Sequence, residues 1–357
     1  MSEKVPEQFR KLEIYPGYAC TRNCRFCFVS KEDKKKYSAH IPFKKMCETV
    51  YKAYLQGTRF LSVLGGEPTL YPKLPELLDF AKKLGYKSTS LFSNGFRMAE
   101  EGYVEKLAML NVDTVHLNFP SHKPDVFDYI TQSEGGFQRA CQALDNLVRA
   151  GITVVSVCVL TKQNCASLKD YAAYLSSRGA SVFMLHYTKL QGNMDYALEE
   201  NRKNIMDIAV PMKAAASGIM EMTDYCVSKR IMPPFVEIMP PCLLGRYASR
   251  LIDFRQEHNI DNSETIMQPG LDMDDTWEWS YDGRIKLPGC RRCLWQNRCY
   301  GIEKNYAELF GISEFLPITE DPGNYYDGID KELLPQHLAA LPEAVAAARI
   351  RSRKTVK

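Results

Sequence analysis

The chain predicts an α/β fold built on a parallel sheet. Three observations predict it: six short strand-like runs, helix-like stretches between them, and glycines just past the helix ends. The strand candidates are Leu12–Tyr18, Phe60–Leu64, Ser88–Phe92, Thr114–Asn118, Thr153–Leu160 and Val182–Tyr187. The helix candidates are Lys44–Gln56, Pro75–Leu84, Tyr103–Leu110, Phe137–Ala150 and Ser167–Arg178. Gly57, Gly85, Gly151 and Gly179 stand where helix C-caps do. Alternating β and α units pair their strands in parallel through right-handed crossovers. Ligands then gather at the C-terminal ends of the strands.

The first strand leads into CTRNCRFC, which places Cys20, Cys24 and Cys27 as C-x3-C-x2-C in a loop. Three thiolates this close hold three irons of a [4Fe–4S] cluster and leave the fourth iron open. The alternatives are a zinc site or buried free thiols. Structural zinc takes four ligands, and the next cysteine is Cys47. The second strand runs RFLSVLGGEPTL: an apolar strand entering a tight turn at Gly65 and Gly66. Glycines let backbone approach a ligand closely, Glu67 offers a carboxylate, and Pro68 stiffens the exit.

Together these motifs resemble the radical S-adenosylmethionine (radical SAM) superfamily, whose cysteine triad and GGE motif lie about forty residues apart. The resemblance implies a partial (β/α)6 TIM-like barrel. It implies that the open iron chelates SAM, that GGE engages the SAM amino group, and that reductive cleavage gives a 5′-deoxyadenosyl radical that takes a substrate hydrogen. Phe26 fills a position that is commonly aromatic in the family. Ser93 and Asn94 in SLFSNG stand where family members contact the SAM ribose or carboxylate, although turn chemistry alone explains SNG. Arg139 is a further candidate for the SAM carboxylate.

The fourth strand ends HLNFP, which makes Asn118 a polar contact and His116 a core histidine. In the fifth, Val157 and Val159 alternate with Ser156 and Cys158, and one of the two valines packs on adenine or fills core. The sixth puts His186 and Tyr187 at its mouth, where substrate is expected. Cys158 is a candidate thiol for returning a hydrogen atom in an epimerase, beside the spare thiols Cys141, Cys165 and Cys226. Lys31–Lys36 reads as a solvated loop that also suits docking of an acidic flavodoxin or ferredoxin reductant.

A second cysteine group follows. TWEWSY and RIKL flank Asp282-Gly283, a hairpin signal that delivers the chain to Cys290, Cys293 and Cys299. This resembles the C-terminal SPASM or twitch extensions that hold auxiliary iron–sulfur clusters. The full pattern ends in a fourth cysteine, where this chain has Glu303. Five thiols (Cys226, Cys242, Cys290, Cys293, Cys299) cannot fully ligate two four-iron clusters, but four suffice for one. Cys242 in MPPCLLG is the expected fourth ligand of a second, auxiliary [4Fe–4S] cluster, and Cys226 is the alternative. A zinc site on the same thiols is the competing reading.

The expected organisation is a radical SAM core barrel over 1–190, a helical connector over 191–235 and an auxiliary-cluster domain of β-hairpin plus helices over 236–310. A tail over 311–357 carries an Ala-rich helix from Lys331. Across 357 residues, 46 basic and 43 acidic side chains leave a net charge of +3. That balance argues against nucleic acid bound by bulk electrostatics. The longest apolar stretch is too short for a membrane span, and no signal peptide is visible. Twelve cysteines in an unsecreted chain point to metal binding and a cytoplasmic setting.

The expected function is an oxidoreductase of the radical SAM type that modifies a ribosomally made peptide by cross-linking, oxidation or epimerisation. About a dozen residues precede the first strand, so leader recognition is expected to come from a separate protein. A small-molecule dehydrogenase is the alternative. A non-catalytic iron–sulfur or zinc scaffold is the alternative of another class, and GGEP argues against it, because a scaffold has no need of a SAM-amine carboxylate.

Overall fold

The computed structural model describes residues 11–180, 182–251 and 283–323, and residues 265–267 as a strand. The TWEWSY arm of the expected hairpin and the expected tail helix lie outside the described residues.

Eight parallel strands form one sheet, curled as a half-barrel: β1 (Lys11–Ile14), β2 (Phe60–Val63), β3 (Ser88–Ser93), β4 (Val112–Asn118), β5 (Thr153–Leu160), β6 (Val182–Tyr187), β7 (Phe235–Glu237) and β8 (Thr265–Met267). Their order is β7-β6-β5-β4-β3-β2-β1-β8. The six expected strands are all present. β7 and β8 extend the sheet at its two edges. β7 is only three residues long and lies between Pro233-Pro234 and Pro240-Pro241, so it offered no alternation to read.

α1 (Lys31–Lys36) follows the cysteine loop and buries no residue; the helices that cover one face are α2 (Phe43–Leu55), α3 (Leu74–Leu84), α4 (Tyr103–Met109), α5 (Pro124–Thr131), α6 (Gly136–Arg149) and α7 (Leu168–Ser177). After β6 come α8 (Arg202–Ile208) and α9 (Met212–Ser228). α1 is the run expected to be a loop. It is helical because Ser30 Oγ caps Asp33 N–H at 2.9 Å, acids fill its first turn and lysines its last. α6 shows why such helices pack: it buries Phe137, Ala140, Cys141, Leu144 and Leu147 along one stripe.

Side-chain alternation sorts the strands into two faces. Val63, Leu91, Val115 and Val154 stand in register across β2 to β5 and belong to the core under the helices, as do Cys158 with Leu185 and Leu160 with Tyr187. Each buried aliphatic contributes about 2 kcal/mol there. The opposite, concave face carries the row Asn118, Val157, Met184, Phe235 and the row Val159, His186, Glu237. Among the described residues no helix is long and apolar enough to cross a membrane.

Candidate active site

The loop after β1 and the loop after β2 are laced together beyond their strands. Leu64 N–H donates to Ile14 O at 2.9 Å, Gly66 N–H to Gly17 O at 3.0 Å and Glu67 N–H to Ala19 O at 2.8 Å. GGEP therefore runs directly beside the start of CTRNCRFC. The approach needs glycine. A Cβ on Gly65, which has φ +122°, would lie 2.6 Å from Gly17 O, and one on Gly66 would lie 2.2 Å from Ala19 O.

Glu67 is 3% exposed. Its Oε1 accepts from Thr69 Oγ1 at 2.7 Å, Ser93 Oγ at 2.8 Å and Thr69 N–H at 3.2 Å, and its Oε2 accepts from Asn94 N–H at 2.8 Å. Through these bonds the carboxylate fastens the β2 loop to the end of β3. Ser93 is likewise occupied, donating to Glu67 and accepting from Gly95 N–H at 3.0 Å. Asn94 reaches the cysteine loop, with Nδ2 3.0 Å from Thr21 Oγ1 and 3.8 Å from Cys20 Sγ. Pro68 is buried and opens the short turn Pro68–Leu70.

Cys20, Cys24 and Cys27 are half-buried free thiols. Burial pushes the Cys24 thiol up to about 12, and the neighbouring Cys27 adds to the effect. Burial also raises Cys20, against the Arg22 N–H that points at its sulfur from 3.5 Å. The donor set, the glycine approach and the strand-end position all fit a cluster with SAM beside it. Phe26 lies inside the same loop, half-buried.

Arg22 was missed. It is 4% exposed, stacks 5.3 Å from the Phe127 ring and donates from Nη2 to Gly136 O at 3.4 Å. Its Nε and Nη1 are buried with no hydrogen-bond partner among the described residues. An arginine between two cysteines reads as solvated, so the sequence carried no signal for it.

The concave face holds Asn118, Val157, Val159 and His186, four of the expected contacts. Asn118 Oδ1 is buried without a partner among the described residues. His186 Nδ1 lies 2.9 Å from Glu237 Oε2, and its buried Nε2 has no partner there. Burial pushes the Glu237 carboxyl up, but His186, Lys189 and Lys11 outweigh it and hold the group at about 2. Glu237 was also missed, since its three-residue strand was not recognised.

Two expectations need correction. Cys158 faces the helices: its Sγ is 3.5 Å from Pro120 O and 3.5 Å from Asn164 Nδ2, and burial pushes its thiol far up. Tyr187 faces the same way, with its hydroxyl donating to Val210 O and its ring against Tyr306. Both positions follow from strand alternation, which sends them away from the concave face. Arg139 is exposed in the first turn of α6, its guanidinium 4.1 Å from the ring of Phe96, two residues past Asn94.

The second cysteine group converges on one cavity of about 270 Å³, lined by Cys242, Cys290, Cys293 and Cys299 together with Phe315 and Leu316. Burial, then Cys299, Cys293 and Cys290 in turn, push the Cys242 thiol up to about 12. Gly301 N–H points at Cys299 Sγ from 3.3 Å. Cys226 is fully buried in α9 and does not line this cavity. Of RIKL, Arg284–Ile285 lies antiparallel to Ile302–Glu303, and the cysteine segment loops out between them. Glu303, at the position of the expected fourth cysteine, instead precedes the helix Lys304–Phe310. Among the described residues no three His, Cys, Asp or Glu side chains are gathered tightly enough to hold one metal ion. Cluster thiolates each take a separate iron and stand farther apart.

The Radical SAM superfamily model matches residues 14–175. Residues 14–175 are a radical SAM domain. The matched residues contain the cysteine triad, the GGEP loop and, of the concave face, Asn118, Val157 and Val159. The chain is similar to the mycofactocin maturase MftC of Mycobacterium tuberculosis, at 28% identity over 166 residues, 46% of this chain and 41% of the maturase. It is also similar to a probable GTP 3′,8-cyclase of Saccharolobus solfataricus, at 25% identity over 44% of this chain and 49% of the cyclase. The chain thus spans less than half the length of these curated relatives. Among solved structures, Streptococcus suis SuiB bound to its precursor peptide SuiA aligns with a TM-score of 0.61 at 17% identity, covering 89% of this chain and 75% of SuiB. The structure of anSMEcpe bound to SAM aligns with a TM-score of 0.61 at 14% identity, covering 96% and 98%. Both are likenesses of fold.

Proposed function

We propose that this chain is a radical SAM oxidoreductase that modifies a ribosomally made peptide. The observation that carries the radical chemistry is the lacing of the cysteine loop to GGEP at the strand ends, which puts a three-thiol site and a backbone cradle side by side. A [4Fe–4S] cluster held by Cys20, Cys24 and Cys27 would supply the electron that cleaves SAM to methionine and a 5′-deoxyadenosyl radical. Gly65 and Gly66 offer backbone to the SAM amino group, and Glu67, Ser93 and Asn94 hold that backbone in place. Asn118 presents a bare acceptor, Val157 and Val159 an apolar wall, and His186 a bare Nε2 oriented by Glu237. A positioned imidazole backed by a carboxylate binds substrate or takes its proton.

Cys242, Cys290, Cys293 and Cys299 are the four ligands we assign to an auxiliary [4Fe–4S] cluster, which relays an electron out of substrate. The peptide reading is supported by the similarity to a maturase and by the fold shared with a structure holding its precursor peptide. A small molecule is the second reading, favoured by the similarity to a nucleotide cyclase. A flavodoxin or ferredoxin is the reductant this chemistry calls for, and a separate leader-recognition protein is the partner a peptide substrate calls for.

The test is anaerobic reconstitution. Wild type is expected to hold about eight irons, and Cys20/Cys24/Cys27→Ala about four, with 5′-deoxyadenosine formed only by wild type on adding SAM and dithionite. Fully loaded wild type that makes no 5′-deoxyadenosine sinks the reading. Cys242→Ala is expected to lose the second set of irons and Cys226→Ala to keep it; the reverse pattern would exchange the assigned ligand. His186→Ala is expected to keep SAM cleavage and lose product formation at least about tenfold, a typical contribution of a positioned proton acceptor being larger still. Cys158→Ala is expected to turn over normally.

A further inference from the structure

We propose that residues 191–204, from the turn after β6 into the first turn of α8, form a clasp that positions the Cys24–Cys27 turn, with Asn193 and Asn204 as its positioning residues. The inference rests on the reading that the first three cysteines hold a [4Fe–4S] cluster.

From the sequence this stretch belongs to a helical connector. In the fold its first part is the single turn Gly192–Met194, laid across the cysteine loop. Asn193 N–H donates to Cys27 O at 2.9 Å. Its Nδ2 donates to Cys24 O at 2.9 Å and to Asn23 Oδ1 at 3.1 Å. Asn204, in the first turn of α8, donates from Nδ2 to Arg25 O and to Asn193 O, each at 2.9 Å, and its Oδ1 accepts from Arg25 Nη1 at 3.3 Å. Asn201 Nδ2 ties back to Gly192 O at 3.1 Å. One segment therefore supplies donors to the carbonyls of Cys24, Arg25 and Cys27.

The contact is close as well as polar. Gly192 has φ +62°, and a Cβ there would stand 2.4 Å from the carbonyl carbon and oxygen of Phe28 and 2.5 Å from Cys27 O. The turn being held has one internal backbone bond, Cys27 N–H to Cys24 O at 3.0 Å. A loop with so little regular structure must find its backbone partners elsewhere. The clasp provides them, and through them fixes where the Cys24 and Cys27 thiolates stand. It also runs straight on from β6, so the strand that carries His186 and the loop that carries the thiolates are joined by five residues, 188–192.

The test compares Asn204→Ala, Asn204→Asp and Asn193→Ala with wild type, each as full-length protein reconstituted anaerobically. Asp keeps the size and the acceptor for Arg25 but loses both donations to carbonyls. Thermal melting of the cluster-free proteins is expected to match wild type. Bleaching of the cluster in air is expected to quicken about fivefold, the factor one lost hydrogen bond carries. The electron paramagnetic resonance spectrum of the reduced cluster is expected to change shape and to respond less to added SAM. Asp is expected to be as impaired as Ala. Unchanged bleaching and spectra in all three variants overturn the clasp, and so does an Asp variant that behaves as wild type. If Asn204→Ala fails to fold, Asn193→Ala carries the same test. A failure of the cluster reading is told apart, because Cys20/Cys24/Cys27→Ala would then leave iron content unchanged, and the clasp falls with it.

Discussion

Gly66→Ala is expected to abolish 5′-deoxyadenosine formation and to lower stability by at least about 3 kcal/mol, the upper range for forcing a methyl into packed structure. The added Cβ would stand 2.2 Å from Ala19 O and 2.4 Å from Tyr18 O. Neither backbone can withdraw, because hydrogen bonds on both sides of the contact hold the two loops together: Gly66 N–H to Gly17 O and Glu67 N–H to Ala19 O. The methyl must therefore part the cysteine loop from GGEP. Gly151→Ala is the control. Gly151 also has positive φ, +73°, but nothing lies within 4 Å of its Cβ position. Its cost is the conformational one alone, about 1 kcal/mol. Thermal melts and product assays on the pair separate collision from backbone strain, and wild-type product yield from Gly66→Ala would refute the collision.

Glu67→Gln is the second substitution with a large expected effect. The carboxylate accepts from two hydroxyls and two backbone N–H groups within the chain. An amide at that place turns one acceptor oxygen into a donor facing donors. At least one of Thr69, Ser93 and Asn94 then loses its partner in a buried setting, at a cost of about 1–3 kcal/mol, more where a charged acceptor is lost. The role is separable by measurement. A brace predicts a lower urea midpoint with SAM binding reduced only as far as the loop loosens. A carboxylate whose work is to bind the SAM amine predicts a raised KM for SAM with stability unchanged, and that outcome would overturn the bracing role.

Much of this architecture was legible because it is repetitive. Each β–α unit repeats the same contrast between an apolar strand and an amphipathic helix, and a glycine closes most helices, so the sheet could be read strand by strand. The cysteine loop and GGEP were legible for the opposite reason: thiols and paired glycines at a fixed spacing suit very few chemistries. What escaped was held in contacts between distant segments. Glu237 sits on a strand of three residues, and only pairing with β6 makes it the partner of His186. Arg22 is buried by α5 and α6, more than a hundred residues downstream. Asn193 and Asn204 look like connector asparagines until the turn carrying them is laid over Cys27. Cys158 and Tyr187 were misplaced through a parity that the sequence contained: each is an even step from core positions on its own strand.

Cys242 follows Glu237 by five residues, whereas Cys290 follows Cys242 by forty-eight. A cluster in that cavity would close a long loop onto the edge of the sheet, and closing such a loop removes much of its freedom to unfold independently. The carboxylate that orients His186 stands just ahead of the anchor. If the proposed cluster forms there, Cys242→Ala should show faster proteolysis between residues 242 and 290 than wild type, and should lose the alignment of His186 before it loses the barrel.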